Sequence, residues 1–123
     1  MERRYGWKRD TPDFRDLRYS PRVASLTVPS FVDLSDKMPL AFDQGELGSC
    51  TGQAAAALHR FEQSRQGDTS PIDPSRLFIY YCTRSLEGTV NSDAGASIRA
   101  TIKALAQFGV CPEDQWEYDV TRF

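Results

Sequence analysis

Cys50 follows the run Asp43-Gln44-Gly45-Glu46-Leu47-Gly48-Ser49 and precedes an alanine-rich stretch from Gln53 to Leu58. A thiol attacks as its anion. A helix N-terminus favours that anion, through unpaired N–H groups and the positive end of the macrodipole. Ser49 stands as N-cap, which puts Cys50 in the first turn. Gly45 and Gly48 let the chain turn sharply and let a second backbone come close. Gln44 lies six residues upstream across a glycine turn, within reach of the thiol. Acyl transfer needs donors aimed at the developing oxyanion, and the Gln44 amide with the Cys50 backbone N–H would supply two.

The elements that must hold this site are helical. Gln53 to Glu62 is a strong helix former, and Gly67 lies beyond its end. Four successive alanines make that helix slim on every face, suited to burial against neighbours. Asp73-Pro74 predicts the start of a second helix, with Leu77, Phe78, Tyr81 and Cys82 recurring at three and four and an end near Arg84 to Leu86. A loop from Glu87 to Gly95 leads to a third, whose apolar face is Ile98, Ile102, Leu105 and Ala106, with Gly109 as the residue past its end. Pro112 to Trp116 reads as a last short turn of helix. Residues 1–42 carry Pro12, Pro21, Pro29 and Pro39, scattered aromatics and two β-prone patches, Ala24 to Val28 and Phe31 to Leu34. They predict an extended arm with one or two short strands. The fold class is therefore mainly α, three helices behind an irregular arm.

Composition narrows the partners. Fifteen basic and seventeen acidic side chains give a net charge of −2 with both signs mixed, so no basic field points to nucleic acid. No apolar stretch approaches the roughly 18–20 residues of a membrane span. The basic start, Met1 to Arg9, has no apolar region after it and is no secretory signal, which makes the cytoplasm the expected location. The spacing of Cys50, Cys82 and Cys111 fits no metal or redox motif. Cys82 and Cys111 read as small buried apolar residues; a disulfide between them and three free thiols in a reducing compartment both stay open. The acidic cluster Glu113, Asp114, Glu117 and Asp119 lacks calcium-loop spacing and reads as surface. No metal site, phosphate loop or cofactor is expected.

Gln44-Gly45-x-x-Gly48-Ser49-Cys50 resembles the active-site segment of papain and the cathepsins. In that family this Gln is the oxyanion donor and this Cys the nucleophile. Leu47 stands where the usual signature has a disulfide-forming cysteine, and Thr51 where it has an aromatic; both suit a disulfide-poor bacterial branch. Pro29 to Leu34 resembles the start of the mature catalytic domain, Ser92 to Ser97 the segment beside bound peptide, and Phe108 to Pro112 the stretch after the third helix. Residues 5–20 resemble that branch's leader. The resemblance implies that residues 29–123 are the helical half of a papain-like α+β fold, with 1–28 as arm or leader. It also implies that Gly48, Ser49 and the backbone at Ala94, Gly95 and Ala96 contact a peptide or protein substrate.

The family's base and its orienting Asn lie about 130–150 residues after the nucleophile, whereas 73 residues follow Cys50 here (123 minus 50). The single histidine, His59, falls on the opposite face of the helix and roughly 13 Å along it. The expectation is a cysteine-type peptidase half whose C-terminal β-barrel half, or a partner chain, supplies the base. Alone it should be inactive, and its bared interface should make it self-associate or need a partner. The alternatives are a non-catalytic peptide- or protein-binding module and an acyl or amide transferase on the same scaffold.

Overall fold

The computed structural model describes residues 4–20, 27 and 29–123. Its elements are β1 (Trp7–Lys8), α1 (Cys50–Arg65), α2 (Arg76–Glu87), β2 (Ala96–Ser97) and α3 (Ile98–Phe108), with 3-10 turns at Ser35–Lys37 and Val120–Arg122. The chain is mainly helical, as expected. Of the Ala24 to Val28 patch, all but Thr27 lies outside the described residues. Phe31 to Leu34 forms no strand; Asp33 Oδ1 accepts the Ser35 N–H at 2.8 Å and starts the 3-10 turn instead.

α2 is the central element and packs against both α1 and α3. The α1–α2 contact is close because Gly52 has no side chain. A Cβ there would lie 3.0 Å from the Arg76 carbonyl oxygen and 3.4 Å from Tyr80 Cβ. Ala55, Ala56 and Ile79 form the buried cluster, covered by Phe42, Leu105 and Val110. Of the four successive alanines, Ala55 and Ala56 are buried as expected, whereas Ala54 is exposed.

Three expectations about element limits and faces need correction. α2 begins two residues after Pro74, because Ser75 is the better cap: its Oγ accepts the Phe78 N–H at 3.1 Å and donates to the Trp116 carbonyl at 2.7 Å. Pro74 pairs instead with Pro112 in an isolated bridge. Residues 112–116 make a hydrogen-bonded turn, not a helical one. On α3 the buried residues are Thr101 and Ala104, while Ile98, Ile102 and Ala106 face outward. Ile98 and Ile102 instead border α1, beside Ala54 and Leu58. There Leu58, Ile98 and Ile102 surround a shallow apolar hollow of about 90 Å³.

The arm returns across the helices. β1 pairs in parallel with β2, Trp7 opposite Ala96 and Lys8 opposite Ser97. Lys8 Nζ reaches Glu87 at 3.1 Å, Asp10 accepts the Arg99 N–H at 3.1 Å, and Arg99 grips Asp16 at 2.6 and 2.8 Å. No described helix is long and apolar enough to cross a membrane.

Candidate active site

Cys50 is the first residue of α1 and is half-buried. Ser49 occupies the cap position, but its side chain does not cap the helix. Ser49 Oγ is buried, accepts from Gln53 Nε2 at 3.1 Å and meets the Tyr118 hydroxyl at 2.6 Å. Tyr118 in turn donates to the Gln44 carbonyl at 2.8 Å. A directed chain, Gln53 to Ser49 to Tyr118 to Gln44, therefore ties both ends of the glycine turn to one tyrosine.

The Gln44 amide nitrogen donates to the Leu47 carbonyl at 2.9 Å, closing the turn on itself, and to the Arg4 carbonyl of the arm at 2.6 Å. Gly45 has φ +58°, a conformation that glycine adopts without strain. Asp43 Oδ1 accepts the Gly45 N–H at 3.0 Å.

Across a groove lie Ala94, Gly95 and Ala96. Ala96 N–H donates to the Gly6 carbonyl at 2.8 Å, so this edge holds an extended backbone by main-chain pairing. The fit is tight. A Cβ on Gly6 would sit 2.0 Å from the Gly48 carbonyl oxygen, and one on Gly95 would sit 2.0 Å from the Gly6 carbonyl oxygen. Gly48, Gly6 and Gly95 thus stack as three bare backbones, with the arm between the two walls.

No family model matches the sequence. Aligned over 140 residues, and across its whole length, the chain is 34% identical to an uncharacterized peptidase C1-like protein of Acanthamoeba polyphaga mimivirus, of which it covers 45%. Its fold is similar to that of xylellain, a cysteine protease from Xylella fastidiosa, with TM-score 0.78 and 41% identity over 97% of this chain and 46% of that one. In both sequence and fold the chain is similar to papain-like cysteine peptidases. It spans just under half the length of the relatives it matches, and it forms the mainly helical part of the papain-like fold.

Several contacts around this turn come from residues to which the sequence assigned no role in the site. Asp93 accepts the Gly48 N–H at 2.9 and 3.1 Å through its two carboxylate oxygens. Tyr80, fully buried in α2, donates to Asp93 at 2.5 Å and accepts the Gly95 N–H at 3.0 Å. Burial, then the Asp93 hydrogen bond, raises the Tyr80 phenol above its ordinary value and keeps it a donor. Arg84 is 2% exposed and lies between the Tyr80 ring at 4.4 Å and the Phe123 ring at 4.1 Å. It donates to the carbonyls of Val90 and Ser92, and its Nε has no partner. Glu113 is half-buried and not a surface carboxylate as expected: it pairs with Arg76 at 2.5 Å and accepts the Tyr118 N–H at 2.9 Å. A buried tyrosine and an arginine inside a helical stripe were the available signals.

His59 Nδ1 pairs with Gln63 Nε2 at 2.9 Å on α1. Cys82 is buried, and burial pushes its thiol and that of Cys111 up. Cys50, Cys82 and Cys111 are all free. Among the described residues, no group of three or more His, Cys, Asp or Glu could hold a metal ion.

Proposed function

We propose that this chain is the nucleophile-bearing half of an enzyme that cleaves peptide bonds. One observation carries the reading: Cys50 opens α1 beside a groove that already holds an extended backbone, paired to Ala96 and walled by Gly48 and Gly95. A peptide laid there would bring a carbonyl carbon to the Cys50 sulfur. Attack forms the thioester precursor and places negative charge on the carbonyl oxygen, where the Cys50 N–H and the Gln44 amide would receive it. A base outside these residues would take the thiol proton and pass it to the departing amine, and water would then attack the thioester, releasing the acid and restoring the thiol. Gly48, Ser49, Ala94, Gly95 and Ala96 supply the walls and the main-chain contacts.

The arm occupies the groove in this form and takes one bond of the Gln44 amide. It therefore has to leave before a substrate enters, consistent with residues 1–28 acting as a leader to a catalytic segment over 29–123. The outward Leu58, Ile98 and Ile102 support docking of a further half, of a partner chain or of a second copy on that side.

The test is selective alkylation. Iodoacetamide at limiting concentration, followed by peptide mapping, should modify Cys50 well before Cys82 or Cys111. Removal of residues 1–11 should accelerate modification of Cys50 alone. Equal modification of the three thiols would sink the assignment.

A further inference from the structure

Leu47 stands where papain-like signatures have a disulfide-forming cysteine, and all three cysteines here are free, so nothing covalent fastens the Cys50 loop to the rest of the site. Two side chains span that gap. We propose that Tyr80 and Asp93 act as a hydrogen-bonded staple that fixes the distance between the nucleophile loop at Gly48 and the groove wall at Gly95, and so position Cys50 and the groove; the proposal rests on the peptidase reading above.

The geometry makes the two walls parts of one assembly. Asp93 spends both carboxylate oxygens on the Gly48 N–H, two residues before the nucleophile, and one of them also receives the Tyr80 hydroxyl. The same hydroxyl accepts from Gly95 N–H on the far wall. Tyr80 cannot drift, because it is fully buried, Gly52 of α1 lies against its backbone and Cβ, and Arg84 stacks on its ring. Arg84 also anchors the loop that carries Asp93, through the carbonyls of Val90 and Ser92. Bonds to an ionised acceptor are the stronger kind, and these are short and partly shielded from water. The result is a slot whose width admits one backbone without a Cβ, which is what Gly6 provides. Tyr80 and Asp93 touch no reacting atom; they act through the two glycines.

Amide hydrogen exchange by NMR on the 123-residue chain, with Cys50 alkylation alongside, tests the staple. Tyr80→Phe keeps the ring and removes both hydroxyl bonds. It should raise exchange at Gly95 by about tenfold, the worth of one buried hydrogen bond, and leave Ala56 in the α1 core unchanged. Asp93→Ala should release Gly48 as well. Asp93→Asn, whose amide oxygen still accepts, should restore Gly48. Gly6→Ala should speed tryptic cleavage of the arm in the native background and add little in Tyr80→Phe, where the slot has already relaxed. Unchanged exchange at Gly48 and Gly95 in Tyr80→Phe and Asp93→Ala, or a rise shared with Ala56, overturns the staple, and so does a full Gly6→Ala effect in both backgrounds. Should the glycines respond while Cys50 reacts no faster than Cys82, the staple stands and the peptidase reading falls.

Discussion

The proposed role of Cys50 rests on its place at the start of α1 and on Gly45 and Gly48 just upstream of it. Cys50→Ser should abolish the fast alkylation phase in mass spectrometry while leaving circular dichroism unchanged, since the sulfur is only half-buried. Gly6→Ala in the unaltered chain should drive the arm out of the groove, seen as faster trypsin cleavage after Lys8 or Arg9, because the added carbon would overlap the Gly48 carbonyl. An unchanged cleavage rate would mean that the slot is softer than it looks. Cys50, Gly45 and Gly48 were legible in sequence, since a cap followed by a helix and glycines at fixed offsets are local signals. Asp93 was not, because its partners Gly48 and Tyr80 lie 45 and 13 residues away. Only the tertiary fold brings an ordinary loop aspartate under the nucleophile turn. Gln44 illustrates both halves of the point: its position was legible, but the arm carbonyl that its amide binds was not.

At the level of elements, the three helices were readable from periodicity and caps, while their edges and faces depended on neighbours. α2 starts at Arg76 because the Ser75 hydroxyl before it both caps the helix and bonds the Trp116 carbonyl, a partner 41 residues on. Ser75→Ala should therefore cost about 1–2 kcal/mol of stability, read as a lower urea midpoint. A neutral result would show that the cap is redundant. The α3 face differs from the one its apolar periodicity predicts, because Thr101 and Ala104 are buried while the isoleucines stand exposed beside α1. The arm is clasped through carboxylates. The Arg99 guanidinium holds the Asp16 carboxyl below its usual range. Burial pushes the Glu87 carboxyl up, but the Ser97 N–H and hydroxyl together with Lys8 outweigh it and leave it lowered. A carboxyl lowered in the folded state stabilises the clasp above the ordinary carboxylate range, and the contribution is lost as pH falls through the lowered value. The arm should thus loosen below about pH 4. The Trp7 indole N–H resonance should move toward its unstructured position there, and Arg99→Ala should shift that change to higher pH.

For the molecule as a whole, the expectation is a prepared thiol without a base. The 123-residue chain should show no measurable hydrolysis of a fluorogenic peptide, and turnover abolished by Cys50→Ala would defeat that expectation. The fold class and the likeness to papain-like peptidases were legible because the nucleophile motif, the helices and the downstream segments occur in order. The return of the arm into the groove was not, since two residues of strand carry no periodicity and their pairing depends on a wall made some ninety positions later. That separation has a consequence in time. The contact between Asp10 and Arg99 spans 89 residues. At synthesis rates of about 5–20 residues per second, the arm waits roughly 4–18 s before its partners leave the ribosome. The arm is therefore made well before the wall it pairs with, and until that wall is complete its own strand edge is open to the groove of a neighbouring nascent chain.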